Sequence, residues 1–226
     1  MDDRASVFNV VPSLAVIKGR PVFVEQGRYS QLRLQGKVPK VDEVARALFD
    51  RFKTLHYLDI LSFRTGEPEI ATIKELCESD GELWTDVGAR TSDPLIDAIM
   101  AGATTCIVST KMMANLSEFA SAFELTDDLI VQVDLDEGII SPDPDIRAMS
   151  PLSFCREMRE LGIGTLVLDI DAPTGTRAST VKGIVEGLDG RAKVYVGMEE
   201  LEETDSLRAA GASGGLISCS KVLEEA

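Results

Sequence analysis

The sequence has one histidine, one tryptophan and four cysteines, and aromatic residues make up only 5% of its 226 positions. With His56 as the sole imidazole and no compact carboxylate loop of the calcium-binding kind, a structural metal site is not expected. The expectation is no cofactor, with a loosely bound magnesium ion as the one cation its acids could accommodate. Cys77, Cys106, Cys155 and Cys219 lie scattered in apolar segments without a CxxC pair, which makes them reduced packing residues rather than a disulfide or redox framework. No apolar run approaches the roughly 18 residues needed to cross a bilayer. The opening Met1-Asp2-Asp3-Arg4 lacks the basic start and apolar stretch of a secretory signal, so a cytoplasmic location is expected. Basic residues are also short, 23 Lys and Arg against 38 Asp and Glu, and the resulting net charge of −15 argues against nucleic acid and anionic membranes as partners. What remains open is a small-molecule ligand, and the sequence is silent on oligomeric state.

What is present is an ordinary globular composition, 44% hydrophobic and 27% charged. Short β-rich runs recur at Val7–Ile17, Leu55–Leu61, Leu83–Val87, Thr105–Ser109, Leu129–Leu135, Thr165–Ile170, Lys193–Val196 and Gly215–Ser218. They are apolar along most of their length instead of alternating, as strands buried on both faces are. Helix signals lie between them. Ser92-Asp93-Pro94 and Ser150-Pro151 place a capping side chain before a proline, and Gly102, Gly162 and Gly211 stop apolar-periodic stretches. Strands alternating with helices imply a parallel sheet, and eight such units imply a closed (β/α)8 barrel, a TIM barrel, spanning 1–226 as one domain.

An internal repeat divides that barrel into halves of approximately 1–124 and 125–226. Val87-Gly88 matches Val196-Gly197, Ala101-Gly102-Ala103 matches Ala210-Gly211-Ala212, and Ser109 matches Ser218, every pair displaced by 109 residues. Leu58-Asp59-Ile60 echoes Leu168-Asp169-Ile170 at nearly the same spacing. Continuing the pattern aligns Leu14-Ala15-Val16-Ile17-Lys18-Gly19 with Val133-Asp134-Leu135-Asp136-Glu137-Gly138.

In such barrels the loops after the strands make the working site, so polar residues at strand carboxyl ends carry the functional signal. Five strands end in acids: Asp59, Asp86, Asp134 with Asp136, Asp169 with Asp171, and Glu199. Buried carboxylates are costly unless they bind a ligand, share protons or cap a helix. Asp59, Asp86 and Glu199 read better as caps or ion-pair partners. Asp134 and Asp169, the most strand-embedded, read better as a proton-transfer pair, with Asp171 two residues on and on the same face. His56, three residues before Asp59, reads as core on the opposite face. Between positions 18 and 40, Lys18, Arg20, Arg28, Arg33, Lys37 and Lys40 are opposed only by Glu25, so this basic segment is either a solvated loop or a lid for an anionic ligand.

Taken in order, Val11-Pro12-Ser13-Leu14, Lys18-Gly19, Gln26-Gly27-Arg28-Tyr29, Leu55-His56-Tyr57-Leu58-Asp59, and Asp169-Ile170 ahead of Gly175-Thr176 make the chain resemble the HisA/HisF family of histidine-biosynthesis barrels. It is similar in particular to that family's diverged archaeal and methylotroph members. The resemblance implies an acid/base pair of aspartates ending strands one and five. The second is Asp134, but the first position is Ala15, and a methyl group cannot transfer a proton. The family's strand-six Asp-Gly-Thr is here Pro173-Thr174-Gly175-Thr176. The resemblance also implies two phosphate cradles. On the strand three and four side Gly88, Arg90, Ser109, Thr110 and Lys111 could hold an anion, with Lys18 and Arg28 reaching over from the basic segment. On the strand seven and eight side Glu199 and Glu200 would repel one. The expectation is an isomerase-like or lyase-like enzyme acting on a small, singly phosphorylated metabolite. Two rivals stand beside it, a non-catalytic ligand- or partner-binding barrel and an authentic ribotide isomerase of histidine biosynthesis.

Overall fold

A computed structural model describes residues 7–25 and 28–223. The first six residues, and Gln26 and Gly27 of the motif above, lie outside them. Eight parallel strands close into a barrel: β1 (Asn9–Ile17), β2 (Thr54–Asp59), β3 (Glu82–Asp86), β4 (Thr105–Ser109), β5 (Leu129–Asp136), β6 (Thr165–Ile170), β7 (Lys193–Met198) and β8 (Gly214–Ser218). Closure comes from β1 pairing in parallel with β8, from Asn9 opposite Gly214 to Ser13 opposite Ser218. Gly214 permits it, because a Cβ there would lie 2.2 Å from the carbonyl oxygen of Asn9. Helices α1 (Val41–Phe49), α2 (Ile70–Cys77), α3 (Asp93–Met100), α4 (Leu116–Leu125), α5 (Pro151–Leu161), α6 (Thr174–Gly187), α7 (Thr204–Ala209) and α8 (Cys219–Leu223) form the outer layer. No helix among the described residues is long and apolar enough to cross a membrane.

Alternation along the strands sorts the core into two shells. Leu55, Tyr57, Val131, Val133, Leu166 and Leu168 point outward to the helices. Val11, Trp84, Ile107, Ile130, Val167, Tyr195 and Leu216 fill the barrel interior, with Trp84 and Tyr195 meeting edge to face at 4.8 Å. Each such side chain removed from water contributes about 1.5–3 kcal/mol. The layer also plugs the lower barrel, so a ligand must enter from the carboxyl ends of the strands.

The helix stops fall where the glycines were expected, with φ of 110°, 109° and 92° at Gly102, Gly162 and Gly211. The turns closing α3 and α7 are built alike: Ala103 N donates to Ala98 O, and Ala212 N to Leu207 O, both at 3.0 Å. Of the two expected proline caps, Ser150 accepts from Ser153 N, whereas the Ser92 side chain makes no cap bond and its own N–H goes to Glu118. The basic segment is more ordered than a loop. Arg20–Glu25 and Arg28–Gln31 form an antiparallel hairpin that continues β1, with Ala15 opposite Val22 and Val22 opposite Gln31.

Candidate active site

A cavity of about 480 Å³ opens at the carboxyl ends of the strands. Asp134, Asp169, Asp171 and Lys111 line it, joined by Gln132, Arg177, Glu199, His56 and Ser13, with Ala15, Val22 and Leu58 as an apolar wall.

Asp134 and Asp169 lie directly opposite each other on neighbouring strands, so both side chains emerge on the same face. Asp134 is 3% exposed and well held. Thr110 Oγ1 and Lys111 N donate to its Oδ2 at 3.2 and 3.1 Å, and Gln132 Nε2 donates to its Oδ1 at 2.9 Å. Burial nonetheless pushes its carboxyl up to about 6; Asp169 adds to the rise, while Gln132 and Lys111 oppose it. Asp169 is exposed at the strand end, where it lines the cavity. Burial raises its carboxyl against the pull of Lys111 and Arg177, and Asp171 pushes the same way as burial. Gly197 of β7 gives it room: a Cβ there would sit 2.9 Å from Asp169 Oδ1. Two carboxyls raised above their ordinary range, with the Lys111 side chain lining the same cavity, are suited to pass a proton to and from a bound molecule.

Of the residues expected to hold an anion, only Lys111 reaches this cavity. Thr110 is fully buried beneath Asp134, and its N–H donates to Gln132 O. The N–H groups of the turn after β4 are thus satisfied within the protein, Lys111 N on Asp134 and the others on backbone carbonyls, rather than presented to a ligand. Ser109 is buried and its carbonyl accepts from Met112 and Met113. Arg90 donates to Phe63 O at 3.0 Å, and Gly88 leaves space for the Phe63 ring, 2.5 Å from where a Cβ would be. Lys18 forms the hairpin turn with φ of 51°, and Arg28 is exposed on the hairpin. None of these six lines the cavity.

The remaining acids separate by face. Asp59 points outward and caps the next helix, accepting from Ser62 N at 3.1 Å and Glu69 N at 2.6 Å. Its expected match to Asp169 therefore slips by one residue in the structure, because Leu58 is what pairs with Ala15 on the cavity face. Asp86 is 2% exposed and accepts from Gly88 N; burial pushes it up to about 7, and Asp134 and Asp59 add to the rise. His56 does lie on the face opposite Asp59, yet that face is the barrel interior. It shares a 3.0 Å hydrogen bond between Nδ1 and Ser13 Oγ, its Nε2 has no partner among the described residues, and burial lowers it to about 4.

Sequence reasoning missed Arg177, Glu203 and Gln132. Arg177 sits 3% exposed in the first turn of α6, bonded to Glu203, to Glu199 Oε1 at 2.9 Å and to Ala172 O at 3.1 Å. Its signal was a cation at a helix start, where the backbone dipole disfavours one. Gln132 was visible as the single amide in an apolar strand, two residues before Asp134. Among the described residues no three of His, Cys, Asp or Glu are grouped so as to hold a metal ion.

A family model described as "Histidine biosynthesis protein" matches residues 9–224. The chain belongs to that family. Two curated relatives, from Halobacterium salinarum and Ruminiclostridium cellulolyticum, are both named 1-(5-phosphoribosyl)-5-((5-phosphoribosylamino)methylideneamino) imidazole-4-carboxamide isomerase. The first is 24% identical over 221 residues, covering 93% of this chain and 90% of the relative. The second is 23% identical over 217 residues, covering 92% of each. The similarity thus runs over nearly the whole of each chain, while the identity is low enough for residues at the mouth to differ. In this family member the methyl of Ala15 stands on the cavity wall among Val22, Ile60 and Leu58.

Proposed function

We propose that this histidine-biosynthesis-family barrel is an acid/base enzyme, isomerase-like or lyase-like, acting on a small, singly anionic metabolite in a reaction other than the standard histidine-pathway one. The observation that carries the reading is the pairing of Asp134 with Asp169 in register on one cavity face, opposite an apolar strand-one corner. Asp134, pushed up to about 6, delivers or accepts a proton at one atom of the substrate. Asp169 takes the complementary role, and Lys111 neutralises charge that develops between them. A substrate with a phosphate at each end, as the relatives' printed name implies for them, fits less well. The N–H groups of the turn after β4 already have partners, Lys111 N on Asp134 and the others on backbone carbonyls, and the turn after β7 carries Glu199 and Glu200.

Two measurements test this. Small aldehydes and ketones with one anionic group, carboxylate or phosphate, incubated in deuterated water should include one whose carbon-bound hydrogen exchanges with the wild type but not with Asp134→Asn. Complementation of an isomerase-deficient histidine auxotroph should fail. Robust growth would overturn the proposal in favour of the authentic isomerase, and a full survey without exchange would favour a non-catalytic binding barrel.

A further inference from the structure

Arg177 is a buried guanidinium on the cavity wall, and its nitrogens are used unequally. Nη1 is committed to Glu203, 7% exposed, whose Oε1 accepts from Glu199 N at 2.8 Å and Glu200 N at 3.1 Å. That partner is fixed. Nη2 donates to Ala172 O and to one oxygen of Glu199. Nε is buried, and no acceptor among the described residues reaches it. A guanidinium can bind a carboxylate along the edge formed by Nε and Nη2, with two parallel N–H bonds. Here that edge is half used. The Glu199 side chain is 79% exposed, so its hold on Arg177 is screened and weak, and it lines the same cavity.

We infer that the Nε and Nη2 edge of Arg177 is a carboxylate-binding site for the ligand of this cavity, and that Glu199 is a stand-in which the ligand's carboxylate displaces. The incoming group takes two N–H bonds where Glu199 takes one, and it does so away from bulk water, where such bonds are stronger. Local charge selects a carboxylate over a phosphate. Glu203 already neutralises Arg177, and Asp169 and Asp171 line the same wall, so replacing one monoanion by another leaves the balance unchanged while a dianion adds repulsion. The site places a carboxylate end of the metabolite beside Asp169, and it rests on the proposed function only in taking this cavity as the ligand site.

The test titrates acetate, and separately inorganic phosphate, into the full-length wild type and Glu199→Ala at constant ionic strength, following the Arg177 Nε–H resonance by NMR. Acetate should move that resonance in both proteins, with a dissociation constant on the order of tenfold lower in the variant because the internal competitor is gone. Phosphate should bind more weakly than acetate. An unmoved resonance, equal constants in the two proteins, or tighter phosphate would each overturn the inference. Turnover is not read, so failure of the acid/base mechanism and failure of this site are separately visible.

Discussion

The corner of the mouth made by β1 and β2 and the corner made by β5 and β6 share a backbone plan and differ in chemistry. In each, the first strand runs into a hairpin through a non-glycine residue with positive φ, 51° at Lys18 and 53° at Glu137. In each, the strand then pairs back on itself, Ile17 with Arg20 and Asp136 with Gly138. At the equivalent step of the parallel ladder, one corner places Ala15 opposite Leu58 and the other Asp134 opposite Asp169. Backbone geometry has been kept while side-chain chemistry has moved to one side. The scaffold alone does not distinguish the two corners; the carboxylates do.

The largest expected effect lies in the corner proposed to react. Once a substrate is in hand, Asp134→Asn should lower turnover by a factor on the order of 10²–10⁴, the usual worth of a positioned acid or base. Retained activity would make the two corners functionally alike. Next comes the buried pair beside that corner. Arg177→Met should cost about 3–5 kcal/mol in a denaturant titration, because Glu203 is left charged, buried and unpaired. A loss below about 1 kcal/mol would mean that the pair is dispensable.

A third effect is on the pH dependence of folding. Carboxyls raised in the folded chain, to about 6 for Asp134 and about 7 for Asp86, bind protons more tightly folded than unfolded. Stability from them is present at low pH and is lost as pH rises through that range. His56 works the other way: lowered to about 4, it favours the fold above its ordinary 6.5 and loses that contribution as pH falls. The carboxyls outnumber it, so the urea midpoint should fall between about pH 4 and pH 7, and His56→Gln should steepen the fall. Asp134→Asn should remove up to about 3 kcal/mol of the decline, leaving the variant at least as stable as the wild type at pH 8. The smallest effect belongs to the apolar corner, where Ala15→Asp should cost about 2 kcal/mol at pH 7, since Val22, Ile60 and Leu58 offer the new carboxylate no partner. A neutral result would mean that the apolar wall is not a barrier to charge.

The barrel was legible because it depends on patterns that survive substitution: apolar runs of strand length, a proline or capping residue before a helix, a glycine after one. The Gly102 and Gly211 turns were found in this way. Asp134 and Asp169 were legible because an acid inside an apolar strand has few bland explanations. Facing was harder to read. Asp59 and Asp169 share a local motif, yet one lies on the helix side and the other in the cavity, since a shift of one residue along a strand exchanges faces. The expected anion residues failed to gather for a similar reason. The sequence places Ser109, Thr110 and Lys111 in the turn after β4, but Thr110 and the Lys111 N–H bond Asp134, and that is a contact across strands. Arg177 was hidden because its partners, Glu199 and Glu203, come from the other side of a strand and a turn.

The most direct test of the acid/base corner needs no substrate. Carbon-13 NMR titration of the aspartate carboxyls should give Asp134 a midpoint near 6 in the wild type, and a lower one in Asp169→Asn, where the neighbouring like charge is gone. A midpoint below about 4 in the wild type, or one that ignores the Asp169 substitution, would contradict the coupled pair on which the account rests.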